Sequence, residues 1–448
     1  MFTQIRLQNF YSFKDVTFDL SCGSKGYKHL AIVYGENGSG KTNLMSCLGI
    51  FIDLMRTMDV RDMIEQILYD QEHPQNSEDT FPKLSQQTLA RVLRSSENLF
   101  NECRMSGSSD PVRLQYDFLI DGKKGVYIVE FGEEGILHER LEYAIEKRRG
   151  VYFDLTPERK TINKVLFQSE TLKSDVINQA RRFWGKHTFL AIFIHEMSDK
   201  ADQYIQEGLL KNFLRVLTAF SRVSCSINTN NNPHALISSP SRGLLLTQIE
   251  SGTVNKSRVS QIKRTAKILT QLFKAINGDN KELYYKIDSD GSDRVRYQLR
   301  IRKKISGEIR DLPFEYESYG NHQIINMLPF LLRALEGETV VLDESDSGIH
   351  DLLYSKIISE AAPHIKGQLI LTTHNTLLLE VRAIKDAFYV LRENEEADRV
   401  VVAIADAGDR IFQQTSIRNK YLDGAYGGAP HIKEINFEAM LDIAKDKD

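Results

Sequence analysis

The sequence predicts an α/β protein, and three observations carry that prediction. The final third alternates apolar strands with amphipathic helical stretches, the pattern of parallel α/β structure. Near the N-terminus the apolar run Leu30-Ala31-Ile32-Val33-Tyr34 stops at Gly35 and gives way to Leu44, Leu48, Phe51 and Met55 near helical spacing. Between these regions Val112, Leu114, Tyr116, Phe118 and Ile120 alternate with polar residues up to a turn at Asp121-Gly122, which predicts an antiparallel meander.

Taken in order, residues 2–20 carry two short alternating runs, Ile5/Leu7 and Val16/Phe18/Leu20, expected as half-buried strands. Leu30–Tyr34 is a fully buried strand, and a helix follows from Lys41. Residues 58–110 fit amphipathic helices joined by polar loops such as Glu72 to Ser77. The meander continues through Val126 to Phe131 and Ile136 to Ile145. From 157 to 280 the pattern is mostly helical (Ile262, Ala266, Leu269, Phe273, Ile276), interrupted by a Ser/Asn-rich loop from Ser224 to Arg242. No sustained heptad points to a long coiled coil. Strands resume at Tyr284 to Ile287 and Val295 to Ile301.

The 448 residues are enough for one large or two to three ordinary domains. A formal net charge of −3 shows no global basic excess of the kind that announces nucleic acid. The four cysteines (Cys22, Cys47, Cys103, Cys225) lie far apart, which argues against a disulfide framework and a structural zinc and suits a reducing compartment. No targeting signal is visible, and no window approaches the roughly 18–20 apolar residues that span a bilayer. A cytoplasmic protein with no membrane partner is expected.

Gly35-Glu36-Asn37-Gly38-Ser39-Gly40-Lys41-Thr42 matches G-x-x-x-x-G-K-[ST] at every fixed position. The glycines let backbone amides curl around phosphate oxygens, Lys41 supplies a point charge to β/γ-phosphates, and the Thr42 hydroxyl suits Mg²⁺. The helix that follows adds its positive end. Thr339-Val340-Val341-Leu342-Asp343-Glu344 is an apolar strand ending in two acids. Asp343 is placed to hold the Mg²⁺ shell and Glu344 to polarise an attacking water. A third strand, Gln368 to Thr373, ends at His374-Asn375, where a His can meet a γ-phosphate or simply cap a helix.

This order of motifs resembles ABC-type ATPases of the SMC, RecF and OLD kind. The resemblance implies a P-loop ATPase head with an antiparallel β-meander and a largely helical insertion. It also implies that ATP lies between two heads of a homodimer or higher homo-oligomer. Glu317-Ser318-Tyr319-Gly320-Asn321-His322-Gln323 is similar to the signature of that group, so Ser318 and Gly320 are expected to complete a partner's site; a plain Ser N-cap is the alternative. Asn321 and His322 depart from the pattern and receive no role. The expected division is 1–156 and 284–448 for the two parts of the head, with the insertion at 157–283.

Leu342 to His350, together with the tail Arg418 to Pro430, is similar to bacterial AAA/ABC-type ATPases of anti-phage and abortive-infection systems (RloA-, PtuA- and AriA-like). That similarity implies a slow ATPase and sensor, with Lys41, Glu344 and His374 catalytic, which gates a separate toxin or nuclease. A RecF-like DNA-repair ATPase and an ATP-dependent oligomeric scaffold stay open as alternatives.

Other signals are set aside. His195-Glu196 begins a zinc-protease pattern, but Asp199 breaks it. Asp406-Ala407-Gly408-Asp409 reads as a turn rather than a nuclease acid pair. The basic clusters Lys147-Arg148-Arg149 and Arg300 to Lys304 leave contact with nucleic acid open, and as isolated clusters they fit solvated strand edges.

Overall fold

The computed structural model describes residues 1–23, 26–73, 85–229, 232–236, 246, 248–291, 293–406, 416–430 and 435–445. It is a mixed α/β fold with two seven-stranded sheets and a smaller four-stranded one.

The first sheet is antiparallel throughout. Its order is Lys160–Ile162, Arg148–Leu155, Gly135–Ile145, Lys123–Gly132, Val112–Ile120, Phe2–Phe10 and Phe13–Asp19. Alternation explains it: Val112, Leu114, Tyr116 and Phe118 are buried while Arg113, Gln115 and Asp117 are half-buried. The hairpin between Val112–Ile120 and Lys123–Gly132 turns on Asp121 (φ 49°) and Gly122 (φ 70°), a two-residue loop with both dihedrals left-handed.

The second sheet has a parallel centre. Its order is Asn232–Leu236, Val223–Thr229, Thr339–Leu342, Gln368–Thr372, Leu30–Tyr34, Phe388–Glu393 and Arg399–Ala403; only the two edge strands run antiparallel to their neighbours. Every residue of Leu30–Tyr34, Thr339–Leu342 and Gln368–Thr372 is buried, because helices cover both faces. On one face lies the helix Lys41–Leu54, itself wedged against the first sheet: Phe51 meets the rings of Phe2 and Tyr116 at 5.4 and 4.8 Å, and that of Phe220, which ends the helix Lys211–Phe220, at 5.0 Å. On the other lies Tyr319–Leu335, which buries Ile324, Ile325, Leu328 and Leu331. Parallel pairing brings the carboxyl ends of the strands before Gly35, Asp343 and His374 to one edge.

The expected helices of the middle region form as Glu170–Phe183, Phe189–Ser198, Asp202–Gly208, Lys211–Phe220 and Val259–Ile276. The loop expected from Ser224 to Arg242 is a correction. Val223–Thr229 and Asn232–Leu236 form a hairpin, and the first of them joins the central sheet beside Thr339–Leu342. Its serines misled the prediction. Val223, Cys225 and Ile227 are buried, and Ser224, small enough to pack, is buried with them. Residues 230–231 and 237–242 of that stretch lie outside the described residues, as do most of Glu72 to Ser77 and residues 407–409 of the expected acidic turn. The third sheet places Arg294–Ile305 between Ser251–Asn255 and Asn280–Ser289, with Glu308–Pro313 also paired to it.

Candidate active site

The loop after the buried strand Leu30–Tyr34 needs glycine for geometric reasons. Gly38 and Gly40 sit at φ 80° and 105°, conformations that a side chain resists. A Cβ on Gly40 would also lie 2.9 Å from Ser12 Oγ and 3.3 Å from Phe13 Cζ. Gly40 caps the helix Lys41–Leu54 without any side-chain acceptor, so the amides of its first turn are left for a ligand. Lys41 folds across the loop and donates from Nζ to the carbonyls of Gly35 and Glu36 at 2.9 and 3.0 Å. Burial lowers its pKa, and the carboxylates of Glu344, Asp343 and Asp346 oppose that shift. Among the described residues the buried hydroxyl of Ser39 has no hydrogen-bond partner, an orphan inside a loop of amide donors.

Opposite the loop stands Asp343. Its Oδ2 accepts from the Thr42 hydroxyl at 2.8 Å and its Oδ1 from the Thr372 hydroxyl at 2.6 Å, while its amide donates to Ser226 O at 2.9 Å. Burial raises the carboxyl pKa; the two threonine hydroxyls pull it back. The Thr372 hydroxyl also accepts from the amide of Glu344 at 2.8 Å. Glu344 holds φ 47°, a left-handed conformation unusual for a glutamate. Backbone strain of this kind costs about 1–3 kcal/mol and persists where the surroundings impose it.

The His374 amide donates to Asp346 Oδ2 at 3.1 Å, which ties the two loops together, and the His374 side chain is exposed. Asn375 is anchored by donation from Nδ2 to Asp351 O at 2.8 Å.

Ser318 N-caps the helix Tyr319–Leu335. Gly320 lies against the backbone of Gly348, where a Cβ would come 2.5 Å from Gly348 O. Asn321 Nδ2 donates to Glu317 Oε2 at 2.8 Å, and His322 Nδ1 pairs with Glu250 Oε1 at 2.6 Å. They hold the start of the helix. Glu317 is held in turn by Lys303.

The structure thus gathers Gly35, Gly40, Lys41, Thr42, Asp343, Glu344 and, through Asp346, the His374 loop. Ser318 and Gly320 meet their own helix and the loop at Gly348. Sequence reasoning missed Thr372, Asp346 and Arg399, whose Nη2 donates to Gly38 O at 3.0 Å. Thr372 was visible only as one residue of the apolar strand that leads to His374, and nothing local marks Arg399. Of the basic clusters, Arg149 pairs with Glu142, Arg300 with Asp311 and Arg302 with Glu282, so these charges are internally matched. His195 binds Asp62 at 2.6 Å, and among the described residues no cluster of three or more His, Cys, Asp or Glu could hold a metal.

Two family models match. Residues 30–380 match the family described as "AAA domain, putative AbiEii toxin, Type IV TA system", and residues 4–53 match a second AAA domain family. The first match spans the phosphate loop, the Asp343-Glu344 strand and His374. The chain belongs to the AAA domain family. It is an ATPase, which hydrolyses ATP.

Among solved structures, this AAA protein is similar to the SMC head domain from Thermotoga maritima (13% identity, 90% of this chain and 98% of that one, TM-score 0.38). It is also similar to an SMC head bound to the C-winged helix domain of ScpA (13% identity, 91% and 98%, TM-score 0.42). A third is the Pyrococcus furiosus Smc head with an extended coiled coil (14% identity, 91% and 97%, TM-score 0.39). No curated protein matches. Among the described residues, no helix of this AAA protein is long and apolar enough to cross a membrane.

Proposed function

We propose that this ATPase is a nucleotide-gated switch, the sensor half of a bacterial anti-phage system of the RloA-, PtuA- and AriA-like kind, which holds and releases a separate toxin or nuclease in the cytoplasm. The observation that carries the switch is the shared anchoring of the three loops: Thr42 to Asp343, Thr372 to Asp343 and Glu344, and Asp346 to His374. A change at the phosphate loop is felt at the other two.

In this reading the loop amides and the orphaned Ser39 hydroxyl take phosphate oxygens, and Lys41 exchanges its carbonyl partners for the β/γ-phosphates. The donor set fits Mg²⁺: one hydroxyl and one carboxylate oxygen, 2.8 Å apart, leave the remaining positions to phosphate and water. Bound Mg²⁺ would neutralise charge on the β- and γ-phosphates. Glu344 accepts a proton from the attacking water, and the His374 side chain meets the γ-phosphate. Ser318 and Gly320 serve a second copy. Exposed Tyr316 and Tyr319 beside them give that face apolar area for a homodimer or higher homo-oligomer. Of residues 157–283, Lys160–Ile162, Val223–Thr229 and Asn232–Leu236 pair into the two large sheets, so the role of an insertion between the two parts of the head falls to the remainder of that range. The effector role is supported by the sequence similarity at Leu342 to His350 and in the tail.

Glu344→Gln tests the switch. With Mg-ATP it should bind nucleotide like the wild type, fall at least about 100-fold in turnover, and accumulate as a dimer in native mass spectrometry. Native turnover would refute the role of Glu344. Pulled down from its host with ATP, the same variant should carry a stoichiometric second protein. A bare homodimer holding DNA would favour the RecF-like alternative.

A further inference from the structure

The tail Arg418 to Pro430, conspicuous in the sequence, lies on the nucleotide loops. A short helix, Ile417–Leu422, leads into a turn in which Gly424, Gly427 and Gly428 hold φ 79°, 72° and 70°. Gly428 rests on the first residue of the phosphate loop: an added Cβ would be 3.4 Å from Gly35 Cα, 3.1 Å from Leu391 O and 2.5 Å from Val390 Cγ1. Tyr421 fixes this approach. Its hydroxyl donates to Gly428 O at 2.9 Å, and its ring packs on that of Tyr34, 5.4 Å away. The other end of the segment grips the turn after His374. Arg418 donates to Thr376 Oγ1 at 3.1 Å and to Glu380 Oε1 at 2.9 Å. Tyr34 closes the circuit by donating to Asn375 O at 3.0 Å.

We propose that residues 416–430 are a positioning element of the nucleotide site, setting the phosphate loop through Gly428 and the His374 turn through Arg418. The proposal rests on the reading of residues 35–42 as the ATP site. The two ends have separable effects. Displacing Gly35 weakens nucleotide binding, whereas releasing the His374 turn slows turnover without touching the loop that holds the phosphates.

The test uses the full chain, a fluorescent ATP analogue with Mg²⁺ for Kd, steady-state hydrolysis for KM and kcat, and thermal melts. Gly428→Ala should raise Kd and KM about tenfold with kcat near native. Gly424→Ala is the control, since it has the same left-handed backbone but its Cβ would meet nothing within 4 Å among the described residues. It should leave Kd within about twofold. Arg418→Ala should lower kcat about fivefold at unchanged Kd, with Arg418→Lys recovering part of the loss. Should Gly428→Ala fail to fold, Tyr421→Phe removes the bond to Gly428 O and should raise Kd about threefold. Equal shifts in Gly424→Ala and Gly428→Ala, or no shift in either, would overturn the proposal while leaving the ATP site intact. A wild type that does not bind the analogue would overturn both.

Discussion

Thr372 and Asp343 are joined across two parallel strands by a 2.6 Å hydrogen bond, and the same threonine hydroxyl receives the amide of Glu344. One side chain therefore orients both acids at the carboxyl end of Thr339–Leu342. Thr372→Val keeps the shape and removes the donor. An unpaired buried acceptor costs about 1–3 kcal/mol, so kcat should fall roughly 10- to 100-fold while the Kd for ATP moves little. The hydroxyl favours ionised Asp343, so its loss raises that pKa and shifts the acidic limb of the pH–rate profile upward. Thr372→Ser should restore both. A valine variant with native kcat would show that the bond is incidental.

Arg399 reaches the phosphate loop from the edge strand Arg399–Ala403 and holds Gly38 O. Removing it frees the tip of the loop without disturbing Lys41. Arg399→Ala should raise KM for ATP about fivefold, the effect of one charge-assisted bond at a partly exposed site, with kcat retained. An unchanged KM would count against a role for this contact in binding.

Glu139 is buried in the meander and accepts from Tyr127 Oη, Trp184 Nε1 and the amides of Phe189 and Leu190. Burial nevertheless raises its pKa from 4.5 to about 7; the four donors only moderate the rise. A raised acid binds its proton more tightly when folded, so stability falls as pH climbs from about 4.5 to 7. Glu139→Gln cannot ionise. Its amide faces two donors, so the variant should melt lower, and its deficit should shrink as pH rises through that window. A deficit independent of pH would contradict the assignment.

His187 gives the opposite slope. Its Nδ1 is buried without a hydrogen-bond partner among the described residues, and burial lowers its pKa from 6.5 to about 4. The unfolded chain takes up a proton first, so stability is lost as pH falls through 6.5 towards 4. His187→Phe should flatten the acid side of the melting profile. Unaltered acid sensitivity would mean that other groups carry it.

The parts of the site legible in the sequence are those where local backbone geometry dictates residue type. Gly38 and Gly40 need positive φ, Lys41 and Thr42 follow from the loop they close, and Asp343-Glu344 ends an unbroken apolar run. Thr372 and Arg399 act through pairings between distant parts of the chain, which leave no local signature. The strand Val223–Thr229 was hidden for another reason. Serine at 224 and 226 satisfies a tightly packed strand as well as a loop, so composition pointed the wrong way although the alternation of Val223, Cys225 and Ile227 was present.

The position of Leu30–Tyr34 in the central sheet has a consequence for biogenesis. Its two neighbours, Gln368–Thr372 and Phe388–Glu393, come from the far end of the chain. At roughly 5–20 residues per second of synthesis, this apolar segment waits tens of seconds on the ribosome with both edges bare. During that interval it is a template for mispairing with other nascent chains. Early shelter by the meander and the helix Lys41–Leu54, or by a chaperone, would decide how much of the translated protein ever reaches an assembled sheet.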